Sequence, residues 1–442
     1  MNAPPAWPDA ALRRALADMQ PVAARGRVVQ AVGTMLRATG LPAHLGQQCR
    51  IVDPRHPQLA PLRAEVVGLA DGCAMLAPLG ELRGVALGAE VELLEQQARV
   101  PCGRGLLGRV LDAFGEPLDG RPLPPGLAAW PLRNASPNPL ARPPVEQALA
   151  TGVRAIDTAL TVGVGQRIGV FAMAGGGKST LLAMLARGAQ ADLNVIALVG
   201  ERGREVREFI EDGLGDGGLA RSVLVVATSD RPAMERVRAA ETATAIAEGF
   251  RAGGAHVLLM MDSVTRYARA LREIGLSVGE PAVRRGYPPS VFAELPRLFE
   301  RAGHDGHGAV TAFYTVLAED EDGSDPVAEE VRSILDGHVV LSRALGAAGH
   351  YPAIDILAST SRVFPRVADA AHQTAARELR ALLARHAEIR FLLQVGEYQA
   401  GSDALADRAI ERLPRLEALL RQAPDEHTPL AEAVARLQEL LA

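Results

Sequence analysis

The sequence predicts a multidomain α/β protein: a small N-terminal β-barrel, a central phosphate-loop domain with a mostly parallel sheet, and a C-terminal α-helical domain. Three observations lead there. Short β-type runs punctuated by Gly, Pro and Asp crowd residues 25–96. Near-continuous apolar runs alternate with helical segments from about 151 to 365. Beyond 366 only helical patterning remains.

Composition narrows the class. The 442 residues are 48% hydrophobic and 22% charged, which fits folded domains and excludes wholesale disorder. Lys and Arg number 47 against 52 Asp and Glu, a net charge of −5. A mildly acidic chain is a poor bulk nucleic-acid binder, so no nucleic-acid partner is expected. The 3 cysteines, Cys49, Cys73 and Cys102, are widely spaced, which excludes a disulfide scaffold and a zinc cluster of CxxC pairs. The N-terminus has prolines and charges where a signal peptide needs an apolar core. The most apolar runs, such as VLLMM (257–261), fall far short of the roughly 20 residues that span a bilayer. The expectation is a soluble, cytoplasmic protein whose membrane contact is peripheral.

Residues 1–24 are Ala/Pro-rich, with Leu12, Leu16 and Met19 at helical spacing. A flexible segment or a short amphipathic helix is expected there. The barrel is assigned to 25–96 on the runs GRVVQAVGTML, QQCRIV, AEVVGLA, CAMLAPL and AEVELL. Residues 100–150, with GEPLDGRPLPPG and SPNPLARPPVEQ, read as an extended connection that wraps another domain. The central domain is assigned to 97–365. Its strands are expected at RIGVFA (167–172), NVIALVG (194–200), SVLVVAT (222–228), HVLLMM (256–261) and AVTAFYTVLA (309–318). The helical domain is assigned to 366–442.

The strongest local signal is AMAGGGKS (172–179), placed between a strand and a helix. It fits a relaxed P-loop pattern, with Ala172 where the strict pattern has Gly. The loop from Ala174 through Gly175, Gly176 and Gly177 would cradle phosphate oxygens with its N–H groups. Lys178 would reach the β- and γ-phosphates, Ser179 would ligate Mg²⁺, and Thr180 would lie near the α-phosphate. Two acids directly follow strands of the same sheet, Glu201 after VIALVG and Asp262 after HVLLMM. Ligands gather at the carboxyl ends of parallel strands. Asp262 is therefore assigned to the magnesium shell and Glu201 to the attacking water. Met173 brings a flexible thioether into the loop, which can bend aside or crowd it. Arg284 and Arg285 precede GYPPSVF and line either a central pore or a solvated loop.

GERGREVREFIED (200–212), YPAIDILASTSR (351–362), GYPPSVF and LDGH, taken with the P-loop, resemble the rotary and protein-export ATPase family. AGGGKST (174–180), VVATSDRPAMERVR (225–238) and QVGEYQAGSD (394–403) resemble its type III secretion (injectisome) branch. The resemblance covers about residues 25–420 and implies a P-loop (RecA-like) fold. It implies that Glu201 is the catalytic carboxylate, that Arg202 and Arg266 support the phosphates or that carboxylate, and that Tyr351 stacks on adenine. Arg362 resembles the arginine finger, acting across a subunit boundary. Together these imply a Mg-dependent ATPase, with ATP and Mg²⁺, that releases effectors from chaperones and unfolds them for export. The partners implied are a homohexamer, a central stalk protein, a stator-like regulator, an export gate and chaperone–effector complexes, on the cytoplasmic face of the inner membrane. A flagellar export ATPase is the alternative. An ATP synthase catalytic subunit, a ring helicase and a non-catalytic nucleotide-binding subunit fit the residues less well.

Overall fold

The computed structural model describes residues 25–94, 97–173, 175–317 and 325–442. The expected N-terminal segment 1–24, Ala174 and most of the acidic stretch 319–325 lie outside them. The chain divides into two compact units on either side of Gln97.

The first unit is a barrel of β1 (Arg25–Val32), β2 (Met35–Thr39), β3 (Gln48–Val52), β4 (Leu62–Ala70), β5 (Cys73–Pro78) and β6 (Glu90–Leu93). It closes in the order β1-β2-β5-β4-β3-β6. Every neighbouring pair is antiparallel. The alternation in each strand sends Val28, Leu36, Cys49, Ile51, Val66, Leu76 and Val91 inward. GRVVQAVGTML makes two strands, because Gly33 takes φ +58° in the two-residue turn after Val32.

The second unit opens with β7 (Arg99–Cys102), β8 (Arg109–Leu111) and β9 (Ala128–Pro131). β7 pairs with β9. This connection is fixed against the body. Gly249, having no side chain, lets Cys102 approach: a Cβ there would stand 2.3 Å from its sulfur. Arg109 is buried and paired with Asp119 at 2.6 Å. The short strands β10 (Ala148–Leu149) and β11 (Val162–Gly163) pair with each other.

The main sheet contains β12 (Arg167–Ala172), β13 (Leu193–Val199), β14 (Ser222–Ala227), β15 (His256–Asp262), β16 (Gly303–His304), β17 (Ala309–Leu317), β18 (Gly337–Leu341) and β19 (Ile354–Ser361). Its order is β19-β18-β12-β17-β15-β13-β14-β8, with β16 beside β17. From β18 to β8 the strands run parallel; β19 runs antiparallel to β18. The apolar runs are continuous because both faces are covered. Val195, Ala197 and Val199 of β13 join one core with the helix Ala233–Ala252, while Ile196 and Leu198 join another with the helix Lys178–Gly188. That second core also takes Leu379, Leu416 and Leu437 from the C-terminal helices Ala370–Val395, Ala404–Leu420 and Leu430–Leu441. Among the described residues no helix is long and apolar enough to cross a membrane.

Candidate active site

Parallel strands bring their carboxyl ends to one edge, and the P-loop follows β12 there. Gly175 and Gly177 take φ +78° and +82°, a backbone closed to most side chains. The Gly176 N–H donates to the Met173 carbonyl, which closes the turn. Gly177 then caps the helix Lys178–Gly188. In that helix Leu181–Ala186 are buried, whereas Ser179 and Thr180 at its start are exposed. The first turn thus offers hydroxyls and free N–H groups to solvent while the rest of the helix holds the core.

Lys178 binds two carboxylates. Its Nζ donates to Asp262 Oδ1 and lies 3.6 Å from Glu201 Oε1. Asp262 ends β15 and is 3% exposed, so its charge depends on these partners. The Thr315 hydroxyl on neighbouring β17 donates to the same Asp262 oxygen at 2.8 Å.

Glu201 is the unusual group. It follows Gly200, whose φ is +72° and whose missing Cβ would press on the Arg266 side chain at 3.0 Å. Glu201 Oε1 is buried with no hydrogen-bond partner. Burial pushes the carboxyl up to about 7, and the charge of Asp262 adds to that, while Lys178 and Arg266 pull it down. Glu201 also shares a hydrogen bond with Glu205 that favours the protonated form of Glu201. For Glu205, burial acts upward, but that bond and the Arg202 charge outweigh it and hold the carboxyl below its usual value. Arg202 is exposed and donates to Glu205 Oε1 at 3.2 Å, so it reaches Glu201 only through Glu205. Glu205 and Thr315 were not anticipated. The one hint of Glu205 is its place one helical turn after Glu201; of Thr315, that it is a polar residue in a buried strand.

Tyr351 stands at the same edge. Its side chain is half exposed, and a side chain placed on Gly177 would lie 3.9 Å from its ring. The connection after the helix Ala404–Leu420 holds it there, since the Gln422 N–H donates to the Tyr351 carbonyl at 2.8 Å. Arg362 lies at the opposite end of the sheet. β19 starts beside Leu341, opposite Ala172, and finishes beside Gly337. The Arg362 N–H donates to the carbonyl of Asp336, whose carboxylate is bound by Arg167 at the start of β12. β12 rises about 17 Å from Arg167 to Ala172, at about 3.3 Å per residue. The Arg362 side chain is exposed and forms no ion pair among the described residues. The structure therefore gathers Lys178, Ser179, Thr180, Glu201, Asp262, Arg266 and Tyr351 at one edge and leaves Arg362 apart.

The ATP synthase alpha/beta family, nucleotide-binding domain, matches residues 152–361, and the T3SS EscN ATPase C-terminal domain matches 368–439. The Type 3 secretion system ATPase of Xanthomonas euvesicatoria is 55% identical, over 94% of this chain and 93% of that one. The flagellum-specific ATP synthase of Bacillus subtilis is 50% identical, over 94% of each. The assembled ATPase EscN from the enteropathogenic E. coli type III secretion system superposes with a TM-score of 0.89 at 44% identity, over 94% of this chain and all of that one. EscN in complex with its central stalk EscO gives a TM-score of 0.86 at 43% identity, over the same shares. On these matches, the chain is an ATP-hydrolysing enzyme and belongs to the type 3 secretion system ATPases of the ATP synthase alpha/beta family.

Proposed function

We propose that this ATPase works as a homohexamer whose sites lie between subunits, and that it drives protein export by releasing effectors from chaperones and unfolding them. The observation that carries the shared site is the placement of Arg362. It is exposed and stands at the far end of the sheet from its own P-loop, beyond the reach of its own nucleotide. A second subunit's phosphates are the natural target of such an arginine. The assembled state of EscN and its complex with a stalk support a ring and a central stalk for this chain. A stator-like regulator, an export gate and the inner-membrane face remain expectations drawn from the resemblance.

In this reading the N–H groups of Gly175–Lys178 hold the phosphates and Tyr351 stacks on the base. Lys178 exchanges Asp262 for the β- and γ-phosphate oxygens. Ser179 and Asp262 fit a hard cation: the exposed hydroxyl and the buried carboxylate are both oxygen donors at the strand edge. Mg²⁺ held there would neutralise charge on the phosphate oxygens. Glu201 orients the water for in-line attack on the γ-phosphorus and takes up its proton as the bond to the leaving oxygen breaks. The Arg266 stem packs against Gly200, and its charge favours the ionised form of Glu201. Arg362 of the adjoining subunit stabilises the charge that spreads over the γ-phosphoryl oxygens.

The test is Glu201→Gln. ATPase activity falls by about 100-fold or more while ATP still binds. An active Glu201→Gln enzyme refutes the assignment of the water to Glu201.

A further inference from the structure

Strand β19 joins two functional ends. Tyr351 precedes it at the P-loop edge, and Arg362 follows it at the opposite end. The strand is not regular between them. His338 pairs with Thr360 and Val340 with Asp355. Val339 alone lies between these pairs on β18, whereas Ile356, Leu357, Ala358 and Ser359 lie between them on β19. Such a bulge decides where the strand's end points.

The bulge is fastened from three sides. Asp355 Oδ1 accepts from the Leu357 and Ala358 N–H groups at 2.9 and 3.0 Å. The Ser359 hydroxyl donates to the Asp355 carbonyl at 2.5 Å and accepts from the Val340 N–H at 2.9 Å. The third fastening comes from another part of the chain. Arg380, on the helix Ala370–Val395, donates to the carbonyls of Ile356 at 2.6 Å and Ser359 at 3.0 Å. It also donates to the carbonyl of Ala159, the last residue of the helix Arg154–Ala159, at 3.3 Å. Among the described residues Arg380 forms no ion pair, so its hydrogen bonds go to main-chain carbonyls alone. A planar guanidinium with several donors suits this grip, which a lysine cannot copy.

We propose that Arg380 is a positioning residue for Arg362. It braces the β19 bulge from the C-terminal helices, and so sets the arginine that serves the neighbouring subunit's nucleotide. Movement of those helices is then felt one site away, at the next P-loop. The proposal rests on the reading of Arg362 as a residue acting in trans.

A mixing experiment tests it. Arg380→Gln alone lowers kcat by about 10- to 100-fold with little change in KM, because its own P-loop and Tyr351 are intact. Mixed rings are then made by co-expression with Lys178→Ala, whose own P-loop is dead but whose Arg362 and Arg380 are intact. At some junctions an intact P-loop faces an intact arginine. The expected result is activity several-fold above the sum of the two separate variants. Arg362→Ala with Lys178→Ala is the control. If the control recovers and the Arg380→Gln mixture does not, Arg380 acts only within its own subunit and the proposal fails alone. If the control also fails to recover, the reading of Arg362 fails and takes the proposal with it. Should Arg380→Gln not fold, Arg380→Lys keeps the charge without the two-point grip, and the same mixing decides in the same way.

Discussion

The ammonium of Lys178 lies between two carboxylates, bonded to Asp262 Oδ1 and 3.6 Å from Glu201 Oε1. One cation thus offsets two buried acids. Phosphate must compete with these acids for the lysine. Lys178→Ala should abolish ATPase activity, measured as phosphate release, and in cells should block secretion. Normal secretion in that mutant contradicts a motor role.

Glu201 gives the pH dependence. Its carboxyl is raised to about 7 by burial and by Asp262. As a base it acts ionised, so kcat/KM should rise with pH through a limb near 7. Removing the Glu205 charge with Glu205→Ala takes away a bond that favours the protonated form, so the limb moves to lower pH. An unchanged limb in a pH–rate profile refutes the carboxyl pair.

The same shift affects stability. Between about pH 4.5 and 7 the folded chain keeps a proton on Glu201 that the unfolded chain has released. Stability from this group therefore falls as pH rises through that window. Glu201→Gln removes the penalty. Its melting temperature should exceed that of wild type by more at pH 8 than at pH 5.

Thr315 is buried and donates to Asp262 at 2.8 Å. Thr315→Val keeps the shape and removes the donor. Carboxylates that hold metals depend on such partners, so half-saturation by Mg²⁺ should rise by about tenfold, read from ATPase titrations. Thr315→Ser should restore it.

Tyr351 supplies an aromatic face beside Gly177. Tyr351→Ala should raise KM for ATP by about tenfold with kcat little changed, and Tyr351→Phe should behave as wild type. Steady-state kinetics of the three proteins separates stacking from any role of the hydroxyl.

Five strands of the sheet, β12, β13, β14, β15 and β17, were legible because they are buried on both faces and read as unbroken apolar runs; β8, β18 and β19 are partly exposed and carry no such run. β13 departs by one residue at each end from the expected run 194–200. The phosphate-loop edge was legible because a glycine-rich loop leads from β12 to Lys178, and Glu201 and Asp262 lie at the carboxyl ends of β13 and β15. Partners set by neighbouring strands were not. Thr315 meets Asp262 only because β17 lies beside β15, and strand order is not written in local pattern. Gln422 and Arg380 reach β19 and its flanks across gaps of 71 and 24 residues, which no local spacing shows. Arg202, expected at the phosphates or in the carboxylate network, binds Glu205 and meets Glu201 only through it, because it precedes the helix Gly203–Glu208 on an exposed face.

A site completed by a second subunit works only in the assembled protein. The direct measurement is specific ATPase activity across a dilution series, wild type beside Arg362→Ala. A shared site requires that wild-type activity per subunit rise steeply with concentration and that Arg362→Ala abolish it. Flat activity per subunit, with the variant equal to wild type, contradicts it and makes each chain a complete enzyme.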